Sequence, residues 1–167
     1  MRKIIFLLLI IVSTLKIQAQ ESDITTYYFI RHAEKIRTDS TNKNPNLTEK
    51  GKERSKNWSS VFKNVNFDFI YSTNYNRTIQ TATPTAENKN LEIQFYNPKE
   101  LFNEDFKFKT KNNTVLVVGH SNTTPQFVNA ILGNEKYPEI EDADNSNLYI
   151  VTIINNIVSA ILLKIEY

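Results

Sequence analysis

The sequence predicts a layered α/β domain, and three observations carry that reading. Short strand-like runs alternate with helix-like segments along the chain, which favours layers over a bundle or a sandwich. One run, Thr114 to Val118, is unbroken in β-branched and aliphatic residues, the pattern of a central strand buried on both faces. The two histidines of the chain, His32 and His120, each stand where a strand-like run breaks into a loop.

Taken in order, the first strand spans Thr26 to Arg31, rich in Tyr, Phe and Ile, and a polar loop from Thr38 to Asn46 follows. Thr48 is placed to cap a helix running to about Phe62, with Trp58, Val61 and Phe62 supplying part of its buried stripe. Gly51 weakens the first turn of that helix. Phe67 to Tyr71 reads as the second strand, and a polar turn from Ser72 to Asn76 leads into a helix carrying Arg77, Ile79, Ala82 and Ala86. Pro84 is expected to kink or shorten it. Leu91 to Phe95 reads as a third strand, while Tyr96 to Asn113 suits either a helix or a long loop. Gly119 ends the Thr114 strand, and Pro125 suits the first position of a helix capped by Thr124, with Phe127, Val128, Ile131 and Leu132 on its buried face. Two last strands, Leu148 to Ile154 and Ile157 to Ile165, flank Asn155 and Asn156, a dipeptide that tolerates positive φ and suits a tight hairpin.

The amino terminus follows a different logic. Arg2 and Lys3 precede an apolar run from Ile4 to Leu15, and a polar stretch containing Ala19 comes next, the order of a secretory signal. The apolar run is too short for the ~20 residues that a spanning helix needs. The expected organisation is a signal peptide over 1–19 and one domain over 20–167, exported to the periplasm or the extracellular space, with no stable membrane insertion after cleavage. The chain contains no cysteine, which excludes disulfides, thiolate catalysis and lipid attachment through cysteine. Of 20 basic residues against 18 acidic ones, Arg2, Lys3 and Lys16 belong to the signal. The remainder has no basic arm or stripe, so a nucleic-acid partner is not expected. A single domain of this size is compatible with a monomer.

Function in open α/β sheets concentrates at the carboxyl ends of the strands. His32 follows the first strand, His120 follows the Thr114 strand, and Ser72, Asn74 and Arg77 follow the second. Three parallel strands can therefore deliver His32, Arg77 and His120 to one rim, with Arg31 beside them. Two guanidiniums and two imidazoles converging on one point make a site for a doubly charged phosphoryl group, because each guanidinium offers a planar fork of donors.

These residues also resemble motifs of the histidine phosphatase superfamily, which includes the phosphoglycerate mutases and the bacterial phosphohistidine phosphatases. Arg31-His32-Ala33-Glu34 resembles the signature around the nucleophile, with alanine where many members have glycine. Leu47-Thr48 with Gly51 resembles the following helix start, Ser72 with Arg77 to Ala82 the second arginine motif, and Gly119-His120-Ser121-Asn122 the second histidine motif. The resemblance implies a three-layer α/β/α sandwich with a mostly parallel central sheet, phosphoglycerate mutase-like and closest to the compact bacterial branch.

It also implies roles. His32 would attack phosphorus, Arg31 and Arg77 would clamp the non-bridging oxygens, and His120 would donate a hydrogen bond to them. A carboxylic acid would protonate the leaving group, with Glu34 the first candidate and Glu104 or Asp105 the alternatives. Asn122, and beside it Ser121, would bind substrate at the start of the following helix, whereas Thr78 and Thr81 read as packing residues. The mechanism needs no cofactor and no metal. Asp142-Ala143-Asp144 opens like a calcium loop but has Asn147 where that loop needs glycine and Ile153 where it needs glutamate, so it reads as a polar turn. The function expected is an exported phosphatase acting on a small phosphorylated substrate through a phosphohistidine. The alternatives are a phosphoryl transferase (mutase), a phosphohistidine protein phosphatase, and a non-catalytic module that binds phosphorylated ligands.

Overall fold

Tyr27, Phe29 and Ile30 are all buried, so the first strand has to lie inside a sheet covered on both faces. The computed structural model describes residues 23–166, and the expected signal peptide lies outside them. The strands are β1 (Ile24–Arg31), β2 (Phe69–Ser72), β3 (Ile93–Phe95), β4 (Thr114–Gly119), β5 (Asn147–Ile154) and β6 (Ile157–Lys164). The helices are α1 (Glu49–Val61), α2 (Asn76–Lys89), α3 (Glu104–Thr110) and α4 (Thr123–Leu132).

The strands form one six-stranded sheet in the order β3-β2-β4-β1-β5-β6. β3, β2, β4 and β1 run parallel, and β5 and β6 add an antiparallel hairpin beside β1. Alternate residues feed two cores, as a period of two requires. Tyr27, Phe29, Val115 and Val117 pack with Phe106, Phe127, Val128 and Ile131 of α3 and α4. Ile30, Leu116 and Val118 pack with Trp58, Phe62, Ala82 and Ala86 on the α1 and α2 side. The result is the expected three-layer sandwich with a mostly parallel sheet.

Several local expectations change. Val61 is 39% exposed, and the buried face of α1 is Gly51, Ser55, Trp58 and Ser59. Pro84 does not shorten α2, which runs on to Lys89. The proline removes one ladder donor, while its own carbonyl accepts the Ser59 hydroxyl of α1 at 2.9 Å. Helix α4 starts two residues before Pro125, with Asn122 rather than Thr124 at the cap position. Pro125 still lies in the first turn, where helical N–H groups have no intrahelical acceptor to lose. The Tyr96 to Asn113 region holds α3, capped by the Asn103 side chain, which accepts from the Phe106 N–H. The hairpin forms as expected, with φ of 48° at Asn155 and 67° at Asn156.

Candidate active site

β4 lies between β1 and β2, so three adjacent parallel strands end at one edge and bring their loops together. The His32 N–H extends the β1–β4 pairing by donating to the Gly119 carbonyl at 2.9 Å, and the Asn145 side chain holds the His32 carbonyl at 2.8 Å. The imidazole is 3% exposed. Its Nδ1 sits 2.7 Å from the Ala33 carbonyl. A carbonyl can only accept, so Nδ1 carries the proton and Nε2 keeps its lone pair. Burial pushes the His32 pKa down to about 3, reinforced by the nearby charges of Arg31 and Arg77. The ring is therefore a neutral nucleophile with a fixed tautomer.

The His120 ring lies 5.6 Å from that of His32, centroid to centroid. Its Nε2 meets the Thr73 hydroxyl at 2.9 Å, and its Nδ1 faces an Arg77 Nη at 3.4 Å. A guanidinium can only donate, which makes Nε2 the protonated nitrogen of the neutral ring. Burial lowers the His120 pKa to about 4, with Arg77, Lys35 and Arg31 adding to the effect. The Tyr75 ring stands edge-on to His120, and the Arg77 guanidinium lies over that same ring at 4.5 Å.

The two arginines are held differently. Arg31 is 2% exposed; one Nη donates to the carbonyls of Glu141, Asp142 and Asp144 at 2.8, 3.0 and 2.9 Å, and the other to the Asp142 carboxylate at 2.9 Å. Among the described residues the hydrogen bonds of Arg77 are long, 3.4 Å each, to the Lys43 carbonyl and to His120. The Nε of each arginine is buried with no partner among the described residues. Both therefore keep donor capacity for an anion. Arg31, His32, Arg77 and His120 line one cleft of about 290 Å³, together with Lys35, Tyr75, Pro98, Ser121, Asn122, Thr123 and Asp142.

Residues 27–98 match the family model of the histidine phosphatase superfamily, branch 1. Over those residues the chain carries the sequence signature of that superfamily. The sequence matches no curated protein. Among solved structures, it is similar to the phosphoglycerate mutase of Bacillus anthracis, at 16% identity over 86% of this chain and 94% of that one, with a TM-score of 0.64. The protein histidine phosphatase SixA complexed with tungstate gives 16% identity, 83% and 96% coverage and a TM-score of 0.66. The mycobacterial glucosyl-3-phosphoglycerate phosphatase gives 9%, 85% and 98%, and 0.62. At such identities the likeness is one of fold, and these neighbours are by name two phosphatases and a mutase.

The carboxyl groups expected near the nucleophile are elsewhere. Glu34 does not line the cleft; it turns toward α1, where its carboxylate takes three hydrogen bonds from Arg54 at 2.8 to 3.1 Å. Burial opposes ionisation there, but the Arg54 bonds and the charge of Lys50 outweigh it and hold Glu34 below the usual range. A carboxylate so held has no proton to give. Glu104 and Asp105 sit on α3, in exposed pairs with Lys107 and Lys109, also outside the cleft. The one carboxylate among the described cleft residues is Asp142, 71% exposed and shared by Arg31 and Arg37. The Asp142-Ala143-Asp144 segment is a turn, and its carbonyls wrap Arg31.

Ser121 and Asn122 both reach the cleft. The Ser121 hydroxyl bonds Glu139 at 3.2 Å, and Asn122 makes no capping bond with its side chain. Thr81 and Thr78 are buried and not part of the cleft lining. Thr81 accepts the Ala33 N–H at 2.9 Å, and Thr78 supports Thr73 at 3.0 Å. Sequence reading missed Thr73, Tyr75, Lys35 and Asp142. Thr73 and Tyr75 lie inside the Ser72 to Arg77 segment and Lys35 directly follows Glu34, so proximity to the motifs was the available signal. Asp142 is 111 residues from Arg31 and had none.

Proposed function

We propose that the protein is an exported phosphatase that hydrolyses phosphate monoesters through a phosphohistidine on His32. One observation supports this above the others. A buried imidazole, fixed as the Nδ1–H tautomer, shares a cleft with two arginines whose Nε donors have no partner among the described residues.

In the first step the Nε2 lone pair of His32 attacks phosphorus, the bond from phosphorus to the leaving oxygen breaks with its electron pair, and the leaving oxygen takes its proton from water. Arg31 and Arg77 hold the non-bridging oxygens and offset the charge that spreads over them, which is where phosphoryl-transfer catalysis mainly lies. Ala33 keeps the Nδ1 proton in place throughout, so the phosphorylated ring is a cation and a good leaving group. In the second step water attacks phosphorus, the P–N bond breaks, and His32 returns to its neutral form. Neither step requires a metal. Asn122 and Ser121 are placed to meet the substrate at the start of α4.

The test is phosphate release from a panel of phosphomonoesters by mature protein in the presence of chelator, alongside a His32→Ala variant. Turnover that disappears in the variant, with acid-labile phosphate trapped on the wild type, is the expected result. A folded protein that binds inorganic phosphate and turns over no ester would replace this reading with a binding module.

A further inference from the structure

The two arginines of the cleft are placed by different means. Arg31 spends its Nη donors on the carbonyls of Glu141, Asp142 and Asp144 and on the Asp142 carboxylate. Arg77 has no anchor of that kind among the described residues: its hydrogen bonds are 3.4 Å long, and its Nε is buried without a partner. What faces its guanidinium is the Tyr75 ring, whose centroid lies 4.5 Å from Cζ. An aromatic face attracts a cation at such a distance. It does so without using the N–H donors, which lie in the plane of the guanidinium. A guanidinium held by its face keeps its fork of donors free for an anion.

Tyr75 is itself well fixed. Its N–H donates to the Thr73 carbonyl at 2.9 Å, and its carbonyl accepts from the N–H groups of Thr78 and Ile79 at 3.1 and 3.0 Å. Its ring is nearly perpendicular to that of His120, at 88°, with 5.2 Å between centroids, and it lines the cleft. Local rules would fill this position differently. Tyr75 occupies the cap of α2, where Ser, Thr, Asp or Asn normally accepts a helical N–H, and its side chain makes no capping bond. The side chain at this position is used on the cleft and not on the helix.

We infer that Tyr75 is a positioning residue whose ring places the Arg77 guanidinium and braces His120 beside it. This rests on the phosphoryl site proposed above. Donors already in place when the phosphoryl group arrives are worth more than donors that must first be ordered.

Calorimetric titration with inorganic phosphate reads this placement without requiring turnover. Tyr75→Asn removes the ring and supplies a good capping side chain. The urea midpoint should therefore hold at or above the wild-type value while phosphate affinity falls about tenfold, the size of one cation–π contact. Tyr75→Leu, apolar but without a π face, should lose affinity to a similar extent, whereas Tyr75→Phe, which keeps the ring, should stay within about twofold. In parallel, the NMR resonance of the Arg77 Nε–H, assigned by its loss in Arg77→Lys, should carry the ring-current shift of a group over an aromatic face in wild type and Tyr75→Phe, and lose it in Tyr75→Asn and Tyr75→Leu. Wild-type affinity in either ringless variant, a loss repeated in Tyr75→Phe, or a loss that only accompanies a fallen urea midpoint overturns the role of Tyr75 and leaves the phosphoryl site standing. Failure of the wild type to bind phosphate overturns the phosphoryl site and this inference together.

Discussion

His32 and His120 are neutral in the folded protein because burial removes the solvation that an imidazolium needs, and the two arginines repel the added charge. The unfolded chain, with ordinary histidines near 6.5, binds more protons between that value and the folded values of about 3 and about 4. Stability is therefore at its full value above about pH 6.5 and is lost as pH falls below it, by up to about 1.4 kcal/mol per pH unit for each histidine. Urea midpoints measured from pH 7.5 down to pH 4.5 should fall, and a His120→Asn variant should show a shallower decline. Glu34 supplies a second residue-scale prediction. Since its carboxylate is bound to Arg54, Glu34→Gln should cost about 1–3 kcal/mol of stability and leave the pH dependence of kcat where it is. A shift of the basic limb in that variant would return Glu34 to the role of acid. Because Asp142, the cleft carboxylate, is also ionised by its bonds to Arg37 and Arg31, rates across a series of aryl phosphates should rise steeply as the leaving phenol becomes more acidic.

At the scale of elements, the nucleophile's loop is held in place by helices. The Thr48 N–H and hydroxyl, at the cap of α1, reach the Glu34 carbonyl at 2.9 and 3.3 Å, and Thr81 of α2 takes the Ala33 N–H. A Cβ on Gly51 would lie 2.2 Å from the Glu34 carbonyl oxygen. The glycine that weakens the helix by propensity is thus the residue that lets α1 approach the His32 loop. Gly51→Ala should lower stability by about 1–3 kcal/mol despite alanine's better helix propensity. It should also lower kcat more than it raises KM, because the displaced carbonyl belongs to the residue two positions after the nucleophile. Gly119 plays a similar part at the end of β4, where a Cβ would meet Thr124 Oγ1 at 2.7 Å and the Tyr96 hydroxyl at 2.9 Å.

For the whole molecule, Arg31 ties the parallel half of the sheet to the segment leading into its antiparallel hairpin, through the carbonyls of Glu141, Asp142 and Asp144. Arg77 ties little. Arg31→Met should therefore cost about 1–3 kcal/mol by removing the buried guanidinium that gathers these carbonyls, whereas Arg77→Met should cost under about 1 kcal/mol and still abolish turnover; chemical denaturation beside phosphate release separates the two. Much of the architecture was legible from local signals alone. Alternation of strand and helix patterns, the unbroken Thr114 to Val118 run and the Asn155-Asn156 turn depend on neighbours in the chain, so the layered fold and the strand ends bearing His32 and His120 could be read directly. Arg31, Arg77 and the two histidines could be grouped because each follows a recognisable strand or opens a recognisable helix. The direction of each side chain was set elsewhere. Whether Glu34 meets the cleft or Arg54 and which carboxylate reaches Arg31 both depend on contacts between segments 20 to 111 residues apart. The fold class and the strand ends that gather the four basic residues follow from local sequence, because short-range periodicity and turn chemistry encode those. Which ionisable groups are spent on one another and which are left for a substrate emerges in the folded chain alone, because pairing of charges is settled by proximity in space.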